Sequence, residues 1–172
     1  MSSTRLDDLI IFQASVLRFK IDGIDRPALA GEVLSNQKRL SDNPHMSLFE
    51  DTAFDPKPDS VGAALVNEIN SIAKGWGMAI HEIWSQIHHP RESTGLHNHV
   101  GPVNVGSFVY YVSVPQGAGD LIFQFENDSY TAIKPEEGMA LFFAPWAKHK
   151  VAKNMSSEIR ISVAGNLTQL QN

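Results

Sequence analysis

The sequence predicts a mainly β protein with flanking helices, built as a jelly-roll sandwich. Three observations carry that prediction. From residue 78 onward, short alternating or apolar runs are broken by glycine and proline at near-regular intervals, the pattern of a sandwich or barrel. Before residue 78, two stretches carry apolar residues at helical spacing. The composition is that of an ordinary globular chain, with 172 residues, 42% hydrophobic and 19% charged. This length favours one domain over 1–172, with 1–77 supplying a strand, helices and a loop and 78–166 the jelly-roll core. A domain of this size buries roughly two thirds of its unfolded surface, enough for a core without staples.

The elements follow in order. Residues 9–21 read as a strand with one buried face, because Leu17, Phe19 and Ile21 alternate with Arg18 and Lys20. Asp25-Arg26-Pro27 combines an N-cap acid with a first-turn proline. It opens a helix over about 26–41 on Leu29, Val33 and Leu40. Residues 42–58 hold Pro44, Pro56 and Pro58 and read as a long ordered loop packed by Phe49 and Phe54. Asp59 or Ser60 caps a second helix, with Val61, Leu65, Ile69 and Ile72 as its stripe and Gly75-Trp76-Gly77 as its end. Eight strands are then expected at 79–88, 96–100, 106–114, 120–125, 130–133, 139–144, 149–152 and 159–165. The turns Gln116-Gly117-Ala118-Gly119 and Lys134-Pro135-Glu136-Glu137-Gly138 separate some of them. The layout is one that cupins share.

Composition narrows the chemistry. The chain has no cysteine, so disulfides, zinc ribbons and thiol nucleophiles are excluded. A net charge of −5 argues against nucleic acid as the main partner. The first residues lack the basic and apolar regions of a signal peptide, and the longest apolar run, Met139 to Ala147, is too short to span a bilayer. The expected setting is cytoplasmic, or the host cytoplasm if the chain is phage-encoded, with no membrane partner. The Asn127, Asn154 and Asn166 sequons then carry little weight. No phosphate loop, nucleophile elbow or dinucleotide fingerprint is present.

What remains is a constellation. His97 and His99 are two apart, so both are able to point the same way from an extended strand. They sit at the mouth of a jelly-roll strand, where ligands usually bind. His149, from a distant strand, is placed to close a metal site; taken alone it reads as a surface histidine in a basic turn. Arg160-Ile161-Ser162-Val163 alternates polar and apolar residues. One reading is a half-exposed strand with Arg160 and Ser162 facing water. The other puts Arg160 inside, where its planar fork suits a carboxylate, with Ser162 donating to the same group. Lys148, Lys150 and Lys153 read as a solvated face. Trp84, Phe142, Phe143 and Trp146 read as core rather than as a substrate platform. Residues 42–58 and 89–95 are candidate lids over the mouth.

Taken together, Ile83-Trp84, Leu96-His97-Asn98-His99, Ser107 to Val112, Glu137 to Phe143, His149 and Arg160-Ile161-Ser162 resemble a known family. It is the 2-oxoglutarate/iron(II)-dependent oxygenases related to prolyl hydroxylases, most similar to a small bacterial and phage branch with an H-x-H segment. The resemblance spans about residues 80–166. It implies a double-stranded β-helix with Fe(II) at its mouth and 2-oxoglutarate as co-substrate. It matches His97 and His149 to the ligand histidines, Arg160 to the anchor of the distal carboxylate with Ser162 beside it, and Tyr111, or Tyr110, to a supporting tyrosine. His99 stands where the family's triad has a carboxylate, and its neutral ring leaves the metal's charge less compensated.

The implied activity is hydroxylation of a small-molecule or peptidyl substrate. Two alternatives are a cupin-like three-histidine metalloprotein without 2-oxoglutarate, similar to thiol dioxygenases, and a non-enzymatic β-sandwich binding or virion module. An outward Arg160 favours the first alternative, and scattered histidines favour the second.

Overall fold

The computed structural model describes residues 15–35, 50–125 and 128–171, with 50–53 as backbone. In chain order the elements are β1 (Leu17–Lys20), α1 (Arg26–Ser35), β2 (Glu50–Ala53), α2 (Val61–Lys74), β3 (Met78–His88) and β4 (Thr94–His97). Then come β5 (Gly106–Ser113), β6 (Leu121–Gln124), β7 (Tyr130–Ile133), β8 (Met139–Phe143), β9 (His149–Val151) and β10 (Arg160–Gln169). The strands form a six-stranded sheet in the order β1-β8-β5-β10-β3-β2 and a four-stranded sheet in the order β4-β9-β6-β7.

Both helices start as the sequence predicts. Asp25 Oδ1 accepts from the Ala28 N–H, and Ser60 Oγ accepts from the Ala63 N–H. Glu32 on α1 also accepts from the Val61 and Gly62 amides, so one helix caps the other. Leu29 and Val33 of α1 and Leu65 and Ile69 of α2 are buried. They pack on Phe108, Tyr110, Phe142, Ile161 and Val163, the outer face of the large sheet. The inner face forms a second cluster between the sheets, with Val109, Tyr111, Leu121, Phe123, Leu141, Phe143, Val151 and Ala164. Strand β10 is therefore covered on both faces, by helices on one side and by the small sheet on the other.

Several boundaries differ from expectation; β10, expected at 159–165, runs to Gln169. Residues 50–53 are not loop; they form an edge strand antiparallel to β3. Strand β4 begins at Thr94 and ends at His97, so His99 lies beyond it. Segment 89–95 is not a free lid: Arg91 N–H donates to the Asn154 carbonyl, Asn154 N–H to the Glu92 carbonyl, and His89 N–H to the Glu92 carboxylate. Phe54 is buried as expected. The expected strand at 9–14, the helix end at 36–41 with Leu40, and the loop at 42–49 with Phe49 lie outside the described residues.

Candidate metal and carboxylate site

His97 and His149 face each other as register partners on β4 and β9. Their ring centroids are 4.4 Å apart. His99 reaches the same point from the loop beyond β4. Its N–H donates to the Pro145 carbonyl at 2.7 Å, and its own carbonyl accepts from Asn104 Nδ2 at 3.0 Å. The His99 ring lies 5.0 Å from that of His97 and 5.1 Å from that of His149. One ring nitrogen from each histidine falls within 4.8 Å of the other two.

The tautomers are set by the backbone. Nδ1 of His97 lies 2.8 Å from the Gly95 carbonyl, and Nδ1 of His149 lies 2.8 Å from the Ala147 carbonyl. A carbonyl only accepts, so both Nδ1 atoms carry the proton and Nε2 is the nitrogen of each ring with a lone pair left to ligate a cation. This backbone support is what an imidazole ligand needs from its surroundings. Burial, and the neighbouring His97, push the His149 pKa down to about 3. Burial and His97 likewise lower that of His99 to about 4, with Glu82 acting against them. Burial also lowers that of His97. The rings are neutral at physiological pH and able to ligate a cation. Phe123 and Phe143 back His149 with centroids at 5.8 and 4.9 Å, and Trp84 flanks His99 at 5.7 Å.

Behind the imidazoles the large sheet presents a ladder of inner-face rungs. Register pairs Arg160 with His88, Ser162 with both Gln86 and Tyr111, and Ala164 with both Trp84 and Val109. Arg160 points inward and is 1% exposed. Its Nη1–H donates to His88 Nδ1 at 3.1 Å, and His88 Nε2–H donates to Thr94 Oγ1 at 2.8 Å. Burial first, then Arg160, holds the His88 pKa down to about 3, so His88 is a neutral acceptor for the guanidinium. The guanidinium carbon lies 5.3 Å from the Tyr111 ring centroid. Among the described residues no carboxylate pairs with Arg160. Arg160 Nε, Tyr111 Oη and Ser162 Oγ are all buried without a hydrogen-bond partner. A buried unpaired cation is disfavoured by several kcal/mol. Three unsatisfied groups of this kind within one register neighbourhood fit a bound carboxylate.

The predicted site residues thus converge. The cleft is narrow and is lined by Trp84, His97, His99, His149, Phe143 and Arg160 among others. The two tyrosines lie on opposite faces: Tyr111 belongs to the inner cluster between the sheets, and Tyr110 packs under the helices. The wet-face reading of Arg160 and Ser162 is overturned, because the small sheet covers that side of β10. Trp84 and Phe143 line the cleft rather than serving as core alone, and Trp146 is 45% exposed and not core. Sequence reasoning missed His88 and Thr94. The signal was present in β3, where Trp84, Gln86 and His88 share one face.

Comparison with solved structures places this architecture. A Pseudomonas putida prolyl-4-hydroxylase superposes with a TM-score of 0.70 at 15% identity, covering 91% of this chain and 93% of that one. The viral collagen prolyl hydroxylase of Paramecium Bursaria Chlorella virus-1, solved with 2OG, gives 0.68 at 13% identity over 90% and 96%. A Trichoplax adhaerens prolyl hydroxylase, solved with a hypoxia inducible factor peptide, gives 0.71 at 10% identity over 90% and 83%. The chain has the fold of the 2OG-Fe(II) oxygenases. Within that oxygenase fold, residues 124–166 match the family model described as "Putative 2OG-Fe(II) oxygenase". This segment carries His149, Arg160 and Ser162. The resemblance to oxygenases related to prolyl hydroxylases is borne out by match and fold together. No curated protein matches the sequence. Among the described residues no helix is long and apolar enough to cross a membrane.

Proposed function

We propose that the protein is an Fe(II)/2-oxoglutarate-dependent dioxygenase, a hydroxylase, acting as one domain over 1–172 on a small-molecule or peptidyl substrate in a cytoplasm. The observation that carries this reading is the placement of two complementary sites in one cleft. Three neutral imidazoles converge at the mouth, and Arg160, paired with no carboxylate among the described residues, lies deeper with Ser162 and Tyr111. The donor set fits the group: His97, His99 and His149 would hold the metal through nitrogen, and imidazole suits iron.

When bound, iron supplies oxygen activation coupled to decarboxylation of the 2-oxo acid. The chain's own residues do the rest. Arg160 would bind the distal carboxylate, with Ser162 and Tyr111 as further buried donors beside it. His88 fixes the guanidinium from behind. Phe123, Phe143 and Trp84 keep water from the imidazoles. With three neutral ligands the divalent cation keeps its full charge, which favours a dianionic partner.

The inward Arg160 argues against a three-histidine protein that does without 2-oxoglutarate, and the gathered histidines argue against a purely structural sandwich. Anaerobic addition of Fe(II) and then 2-oxoglutarate to metal-free protein tests the reading. The expected result is a visible charge-transfer band that needs both components. Its absence, with neither component binding by calorimetry, overturns the proposal.

A further inference from the structure

The ladder on the inner face has one more rung. Past Ala164, Asn166 pairs with Glu82 on β3 and with Ser107 on β5. The side chains join in sequence: Ser107 Oγ–H donates to Asn166 Oδ1 at 3.1 Å, and Asn166 Nδ2–H donates to Glu82 Oε2 at 2.9 Å. Ser107 and Asn166 are buried, while Glu82 is exposed. Same-face rungs are roughly 7 Å apart along a strand. The Trp84 rung is level with the imidazoles, since Trp84 and His99 are in ring contact. Glu82 therefore stands one rung outward of the metal cluster, on the side away from Arg160. A carboxylate exposed at a cleft mouth is ordinarily mobile; here a buried amide fixes one of its oxygens.

Two further observations point to the ligand's charge. Trp84, the inner-face neighbour of Glu82, lines the cleft and has an unpartnered buried Nε1–H. Its ring offers a cation a π face beside the carboxylate. The loop between His99 and Ser107 exposes Val100, Val103 and Val105, apolar surface for an aliphatic stem.

We propose that Glu82, positioned by Asn166 and flanked by Trp84, takes a positively charged nitrogen of the substrate, an ammonium or a guanidinium on an aliphatic stem. This rests on the oxygenase reading and names its substrate class. The source is a free amine or a basic side chain of a peptide.

Paramagnetic relaxation tests it. Mn(II) in the three-histidine site, with 2-oxoglutarate present, broadens the proton signals of any probe that docks near it. The probes are pentylamine and Nα-acetyl-lysine methylamide, against neutral pentanol and the Nε-acetylated lysine derivative. The cationic probes are expected to broaden and the neutral ones not, and whichever cation binds better identifies the source. Glu82→Gln retains an acceptor for Asn166 and removes the charge; it is expected to weaken cation binding about tenfold. Glu82→Asp, which keeps the charge, is expected to retain part of it. Equal broadening by charged and neutral probes, or unchanged binding in Glu82→Gln, overturns the assignment. Metal and co-substrate titrations of the same wild-type sample separate the two levels. Normal binding there with no preference for cations sinks Glu82 alone, and no binding there sinks both.

Discussion

In the proposed function, Arg160 is the residue on which 2-oxoglutarate binding turns. Replacing it by alanine removes charge-assisted hydrogen bonds of about 1.5–3 kcal/mol, so 2-oxoglutarate affinity should fall roughly 10- to 150-fold. Mn(II) affinity measured without co-substrate should change little; calorimetry of both ligands checks the split. His97→Ala and His149→Ala should each abolish iron retention, read by metal analysis after gel filtration. His99→Asp restores a carboxylate at the third position and should alter metal affinity, and an unchanged affinity there removes His99 from the ligand set. The buried histidines also set a pH dependence. His88 and His149 titrate near 3 when folded but near 6.5 when unfolded, so below 6.5 the unfolded chain binds more protons. Their contribution to stability is complete above pH 6.5 and is lost as pH falls toward 3. The slope reaches about 1.4 kcal/mol per pH unit per group. Chemical denaturation of metal-free protein at pH 7.5, 6 and 5 should show this decline. At this scale the sequence was legible where spacing spoke, as in His97-Asn98-His99. It was ambiguous at Arg160 and Ser162, because polar alternation reads the same whether the polar face meets water or a cleft. His88, beside His89 and Pro90, reads as a strand end, and only its register opposite Arg160 gives it a task.

Strand β10 is the element that joins the two halves of the chemistry, since one face carries Arg160, Ser162, Ala164 and Asn166 in line. Gly165 lies on the opposite face of that strand. A Cβ there would press on the Glu82 carbonyl and come within 2.6 Å of the Phe108 ring. Gly165→Ala should therefore destabilise the fold by about 1–3 kcal/mol through overpacking and displace β3 from β10. A lower melting temperature with weakened 2-oxoglutarate binding is the expected pair of observations. The strands that the sequence announced are those with β-branched and aromatic runs. Strand β2 was not legible, because Glu50-Asp51-Thr52-Ala53 holds residues mostly depleted in strands and forms only by pairing with an existing edge. The two helices were legible at their starts, where Asp25 and Ser60 supply the caps.

Across the whole molecule, the division into two buried clusters explains what a sequence pattern conveys. Glycine and proline punctuation counts strands, which is why a jelly roll was readable. It does not say which strands share a sheet, so the layer that covers β10 became visible only in three dimensions. Ligands that bind only the folded state should stabilise it by about 2.7 kcal/mol at a hundredfold excess over Kd. For a chain of this size that is a rise in melting temperature of roughly 5–10 °C for one such ligand, and about twice that with Mn(II) and 2-oxoglutarate each at that excess. A face-to-face sandwich held by apolar contact alone is free to gape at its open end. Here the buried Thr94 hydroxyl, three residues before His97, accepts a hydrogen bond from the His88 ring on the opposite layer. That polar strut props the two walls at a fixed separation. Breathing of the mouth must break it, so the amides of Thr94 to His97 should exchange with solvent as slowly as the central strands, and a valine at position 94 should hasten them.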